Sequence, residues 1–132
     1  MEIRQLRVVL RARDFDATCR FYGEVVSLPR LQSWDREDGR GALFQAGPGV
    51  IQVLGRPRSL DPDLRDEVFD YQGPEHKMTL TFGVPSAERA YEELLLRDKN
   101  IPGGLKQAAD GGLVFETHDP DGVRILFKEP AR

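Results

Sequence analysis

Residues 6–22, LRVVLRARDFDATCRFY, change within a short stretch from the two-residue apolar repeat of a strand to the apolar repeat of a helix. The even-numbered residues from Leu6 to Ala12 are all apolar, whereas two of the three residues between them are arginines. Alternation of this kind predicts a half-buried β-strand. Asp14 is a candidate N-cap, and apolar residues recur at helical spacing over residues 15–26. The stretch therefore predicts a strand followed directly by a helix that packs on it.

The rest of the chain repeats this order of elements. After the first helix, short strands are predicted at residues 31–34, 42–45 and 50–54. In the second half, Ser86 is the candidate N-cap, and the predicted elements are a strand at 78–82, a helix at 87–97 and strands at 105–108, 113–117 and 123–128. The prediction is two βαβββ modules, at about residues 4–55 and 76–130, joined by a connector at 56–75 with a short helix at 62–69.

Composition excludes several classes of protein. The net charge is −3 and the 19 lysines and arginines are scattered, which argues against nucleic acid as a partner. The first residues are charged throughout, and no apolar run is long enough to cross a membrane. Cys19 is the only cysteine, so no intrachain disulfide can form, and we interpret it as a buried thiol on the apolar stripe of the first helix. A cytoplasmic protein without membrane or nucleic-acid partners is expected.

Three segments carry a resemblance to a known family. They are VVLRARDFDATCRFY at residues 8–22, the Leu28-Pro29 pair, and HDPDGVRILFKEP at residues 118–130. In this order and spacing they resemble the vicinal oxygen chelate superfamily, which contains glyoxalase I, extradiol dioxygenases and bleomycin-resistance-type binding proteins. The resemblance covers nearly the whole chain. It implies an α+β fold of two tandem βαβββ modules, whose curled mixed sheets form a cup-shaped cleft with the helices outside.

The metal enzymes of that superfamily carry a ligand in the first and last strand of each module, and the resemblance maps these positions onto Arg7, Gln52, Thr79 and Leu126. An arginine has no lone pair to offer, leucine has no donor atom, and threonine and glutamine are weak neutral ligands. No metal or other cofactor is therefore expected. The alternative is a relocated metal site that uses the two histidines, His76 and His118, with Glu75 or Glu116.

Alternation also predicts which residues face away from the helices and line the cleft. They are Arg7, Val9, Arg11, Val50, Gln52, Leu54, Thr79, Thr81, Arg124, Leu126 and Lys128. Trp34, Phe44 and Tyr71 are candidates for stacking on a ligand, although Trp34 and Phe44 are equally compatible with a core position. If the arginines point into the cleft rather than to its rim, the ligand is anionic, phenolic or quinone-like.

The hypothesis that follows is metal-independent binding and sequestration of a bulky, partly aromatic antibiotic or metabolite. The resemblance to resistance-type members further implies a homodimer. Three alternatives stay open at this point. The first is a metal-free isomerase, cyclase or epimerase with Glu116, Asp35 or a histidine as base. The second is a lyase or dioxygenase with displaced metal ligands, and the third is a structural or regulatory domain.

Overall fold

The computed structural model describes residues 1–60, 78–97 and 101–132. These fall into two compact units, Met1–Tyr71 and Gln72–Arg132. The first unit contains β1 (Arg7–Arg11), α1 (Phe15–Arg20), β2 (Arg30–Arg36), β3 (Gly39–Ala46) and β4 (Gly49–Gly55). The second contains β5 (Thr79–Gly83), α2 (Ala87–Leu96), β6 (Lys106–Gln107), β7 (Leu113–His118) and β8 (Arg124–Lys128). The predicted α+β fold of two tandem βαβββ modules is confirmed.

Each unit has a four-stranded mixed sheet with the same topology. The strand orders are β1-β4-β3-β2 and β5-β8-β7-β6. The first strand of each unit runs parallel to the last, and the remaining pairs are antiparallel. The cup-shaped cleft stays a prediction. The helix predicted at residues 62–69 lies outside the described residues, as do Tyr71, Glu75 and His76.

The first helix begins and ends as its sequence predicts. The side chain of Asp14 accepts a hydrogen bond from the Ala17 amide at 3.0 Å, which satisfies a donor that the helix itself leaves unpaired. Beyond α1 the helix continues as a π-helical turn, Phe21–Val25. Ser27 then adopts a positive φ of 69°, and the Leu28 amide donates to the Tyr22 carbonyl. This left-handed residue ends the helix ahead of Pro29.

Each sheet buries its helix-facing side. In the first unit Tyr22, Phe44 and Val53 are completely buried, and in the second Ile125 is completely buried beside Phe115. Side chains on alternate residues of β7 and β8 are buried and partly exposed in turn, as a sheet covered on one side requires. Within the described ranges, no helix has the length and apolar character that crossing a membrane requires.

The Cys19 thiol is predicted to be unreactive in the folded protein. Its residue is 5% exposed, and burial raises the pKa of the thiol to about 11, against a smaller lowering by the nearby Arg30 guanidinium. At pH 8 only roughly 0.1% of the thiol is then ionised. We expect a thiol reagent such as iodoacetamide to react with the folded protein at least about a hundredfold more slowly than with the urea-unfolded chain. Equal rates, followed by mass spectrometry, would contradict this assignment.

Candidate functional site

The first sheet has one side covered by its helix and one side turned away from it, here called the open face. The residues of the open face are Arg7, Val9 and Arg11 on β1, Val50, Gln52 and Leu54 on β4, Gly41, Leu43 and Gln45 on β3, and Gln32, Trp34 and Arg36 on β2. Among the described strand residues these side chains are apolar, neutral polar or cationic. They can stack on a flat molecule and donate hydrogen bonds to it.

One cross-strand row of the open face combines an aromatic ring, an apolar floor and a cation. Trp34 pairs with Gly41, Gly41 with Leu54, and Leu54 with Arg11. We call these four residues the Trp34 row. Because neighbouring strands lie about 4.8 Å apart, the row crosses roughly 14 Å from one edge of the sheet to the other. A planar ligand of three or four fused rings matches this length.

The glycine in the row provides space for the indole. A Cβ atom at position 41 would overlap three carbon atoms of the Trp34 ring, so the indole lies directly over the Gly41 backbone. Trp34 is partly exposed, and the Arg36 guanidinium lies 5.8 Å from its ring centroid. An indole that lies against the sheet on one side and is still partly exposed is a surface on which an aromatic ring can stack.

Two of the four positions that the resemblance assigns to metal ligands are bonded to each other. The Arg7 guanidinium donates a hydrogen bond to Oε1 of Gln52 at 3.2 Å. This bond uses the one strong acceptor in the pair, and a guanidinium repels a cation. In the second unit the corresponding residues are Thr79, which offers a single neutral hydroxyl, and Leu126, which offers no donor atom. The residues at these positions do not fit a divalent metal ion.

A relocated metal site, which the sequence left open, would need several histidine, cysteine or acidic side chains close together. Within residues 1–60, 78–97 and 101–132, no three such side chains come together as a metal site would require. His118 lies 3.8 Å from a carboxylate oxygen of Glu116, and that carboxylate also accepts a hydrogen bond of 2.5 Å from Arg124. The alternative catalytic base Glu116 is therefore engaged in an ion pair with the neighbouring strand.

A cavity of about 310 Å³ adjoins the Arg11 end of the Trp34 row. Arg11 and Leu54 line it together with the last residue of β4, the residues that follow β1 and β4, and one residue of the β2–β3 turn: Gly55, Ala12, Arg13, Arg56, Pro57 and Asp38. Its size is at the lower end of the range for small-molecule sites. The lining residues include three arginines and one aspartate, whose formal charges sum to +2, that is, +3 − 1.

The second unit carries the remaining predicted residues on the corresponding side of its own sheet. Thr79 pairs with Arg124, and Thr81 pairs with Leu126, so all four share one face. A smaller cavity of about 220 Å³ lies against this sheet and is lined by Arg124, Leu126, Glu116 and Lys106, among others. Lys128, predicted on this face, forms an ion pair with Asp110 at 2.8 Å.

One predicted stacking residue is placed elsewhere. Phe44 is completely buried on the helix-facing side, where its ring centroid lies 6.4 Å from that of Tyr22 and 5.2 Å from the Arg30 guanidinium. It therefore belongs to the core rather than to the open face. The reason is register: Phe44 pairs with Ile51, whereas the open face holds Leu43 opposite Gln52.

Sequence reasoning missed two of the three arginines that line the larger cavity. Arg13 and Arg56 are 43 residues apart in the chain, and each follows the carboxyl end of a strand. Because β1 and β4 are parallel neighbours, these ends meet at the same edge of the sheet. The βαβββ order implies that the first and last strands of a module pair in parallel. Following this pairing for two residues past the end of each strand would have brought the two arginines to the same edge.

The chain is similar to one protein family and to several solved structures. The family model described as the Glyoxalase/Bleomycin resistance protein/Dioxygenase superfamily matches residues 4–127. A glyoxalase family protein from Enterococcus faecalis superimposes with a TM-score of 0.70 at 18% identity, covering 97% of each chain. No protein of curated function matches the chain significantly.

Two further solved structures share the fold at low identity. The trypanothione-dependent glyoxalase I of Leishmania major gives a TM-score of 0.68 at 20% identity, covering 97% of this chain and 87% of that one. A glyoxylase/bleomycin resistance protein/dioxygenase domain from a Frankia species also gives 0.68, at 22% identity, covering 96% and 90%. At such identities the likeness extends to the fold alone.

Proposed function

The chain belongs to the glyoxalase/bleomycin resistance protein/dioxygenase superfamily, and we propose that it binds a planar, partly aromatic small molecule without a metal ion and holds it unchanged. The observation that carries the proposal is the indole of Trp34, held flat over Gly41 at one end of a row that continues through Leu54. An aromatic molecule on this row stacks on the indole and covers an apolar floor, which suffices for micromolar binding without chemistry.

The polar groups on the open face support binding rather than turnover. Arg7 and Gln52 form a hydrogen-bonded pair that can donate to ligand oxygens, and Arg11 supplies a cation. Asp35, one of the bases considered for an enzyme, pairs with Arg40 in the strand register and therefore lies on the helix-facing side. The function proposed is thus sequestration of an antibiotic or other secondary metabolite. The homodimer and the cytoplasmic location stay predictions within this proposal.

A titration with the intact protein tests the proposal. Because Trp34 is the only tryptophan, quenching of its fluorescence reports directly on the open face. A panel containing a naphthoquinone, an anthracycline and an uncharged phenol is titrated into freshly purified protein, before and after dialysis against EDTA. We expect saturable quenching by at least one compound at one molecule per chain, unchanged by EDTA. Mass spectrometry is expected to recover the compound unaltered after prolonged incubation.

Two results would contradict the proposal. One is a tightly held transition metal at about one ion per chain whose removal abolishes quenching, because the four mapped positions would then not describe the metal site. The other is conversion of the bound compound into a product in amounts that exceed the protein. Equilibrium dialysis on Trp34→Leu provides the control that quenching and binding are the same event, since this variant is expected to lose both.

A further inference from the structure

Resting on the proposed function, we infer that the ligand is an aromatic carboxylate, whose ring lies on the Trp34 row and whose carboxylate binds in the cavity beside Arg11. Leu54 and Arg11 belong both to the row and to the cavity. The stacking surface and the cationic cavity are therefore continuous, and one molecule can reach both.

The arginines of the cavity favour a ligand whose polar group is negatively charged. Three arginines, Arg11, Arg13 and Arg56, and one acidic residue, Asp38, are among the residues that line the cavity. A guanidinium presents its N–H groups as a planar fork that matches the two oxygens of a carboxylate. Other arginines of the first unit have partners: Arg7 binds Gln52, and Arg58 binds Asp35 at 3.2 Å. Among the described residues, no side chain forms an ion pair or hydrogen bond with the Arg11 guanidinium.

A buried side chain holds the wall of the cavity in place. Arg40 is 2% exposed, and its Nε donates a hydrogen bond of 2.9 Å to the carbonyl of Arg56. Its guanidinium also lies 4.9 Å from the Phe15 ring centroid and 3.6 Å from a carboxylate oxygen of Asp16. The neighbouring Gly55 packs so closely on Phe15 that a Cβ there would come within 2.6 Å of it. The cavity is thus built before any ligand arrives, which reduces the entropic cost of binding.

The volume of the cavity limits the size of the carboxylic acid that can bind there. About 310 Å³ accommodates a carboxylate with the ring that bears it, while further fused rings extend along the row towards Trp34. Arg11 is the arginine shared by the cavity and the row, and its guanidinium balances one negative charge. The inferred class is therefore carboxylic acids on a planar aromatic system.

The test compares two probes that differ only in charge, anthracene-2-carboxylate and anthracene-2-carboxamide, whose absorption overlaps tryptophan emission so that both quench tryptophan fluorescence. With the unaltered protein we expect the carboxylate to bind about tenfold more tightly than the amide at low salt. In Arg11→Gln we expect this preference to fall to within about twofold, with the affinity for the amide unchanged. Circular dichroism and urea unfolding establish that the variant is folded.

Arg20→Gln is the matched control, because Arg20 is an exposed arginine on α1 and the substitution makes the same change of charge. It is expected to keep the tenfold preference. An equal loss in both variants would assign the preference to long-range charge and overturn the role of Arg11. Equal affinities of the unaltered protein for the two probes would overturn the inference while leaving the proposed function intact. Saturable quenching by neither probe, nor by the neutral aromatics, would overturn the proposed function itself.

Discussion

Replacing Phe44 with alanine is expected to lower the free energy of unfolding by about 3–5 kcal/mol, among the largest effects of any single truncation in this chain. The ring is completely buried at the centre of the first sheet. It packs against Tyr22 on one side and against the backbone of Gly23, where a Cβ would come within 3.1 Å of the ring. Truncation removes these contacts and leaves a cavity that the rigid sheet cannot close.

Urea unfolding, followed by Trp34 fluorescence and by far-ultraviolet circular dichroism, measures this loss. Phe44→Leu keeps most of the volume and is expected to cost less than half as much. Val9→Ala is the matched truncation on the open face, where the side chain is 45% exposed, and it is expected to change stability by less than about 0.5 kcal/mol. Phe44→Leu should leave the affinity for an aromatic ligand within about twofold.

The opposite pattern would return Phe44 to the role that the sequence first suggested. If Phe44→Ala kept its stability but lost saturable quenching, the ring would face the ligand and the register of β3 would be wrong. A large loss of stability with unchanged affinity in Phe44→Leu supports the structure. The two properties are thus separable at a single residue, because the two faces of the sheet contribute to different properties of the molecule.

Phe44 also shows how much of the structure can be predicted from the sequence alone. The alternation in β1 and the caps Asp14 and Ser86 predicted the elements and their order, because each is a local signal with a direct physical cause. In β3 the residues Ala42, Leu43 and Phe44 are all apolar, so period-two alternation gave no indication of which one faces the helix. Only the hairpin register with β4 decides that, and register depends on pairing between strands.

The candidate site was predictable to the same extent. Arg7, Arg11, Gln52 and Leu54 could be placed on one face because each lies on a strand with clear alternation. The cavity was not predictable, since it depends on two chain segments that continue past the ends of β1 and β4 and meet only in three dimensions. The role of Gly41 was not predictable either, because it follows from the pairing of this glycine with Trp34 across a hairpin.

Gly41→Ala is expected to weaken binding of anthracene-2-carboxylate by roughly thirtyfold, the largest effect on affinity anticipated for a single methyl group. The added Cβ would overlap the indole and drive it off the sheet, so the aromatic surface at that end of the Trp34 row is lost. The expected cost in stability, about 1–3 kcal/mol, is smaller than for Phe44→Ala because the partly exposed indole can move outward. Fluorescence titration and urea unfolding of the same variant separate the two effects.

Gly83→Ala is the matched control, since Gly83 also lies in a strand and a Cβ there meets nothing within 4 Å. It is expected to bind the probe with unaltered affinity. A double-mutant cycle gives the sharper result: Gly41→Ala should weaken binding little further in a Trp34→Ala background, with affinity measured by equilibrium dialysis, because both changes remove the same surface. Fully additive effects would mean that Gly41 acts on binding independently of Trp34, which would overturn the role assigned to this glycine.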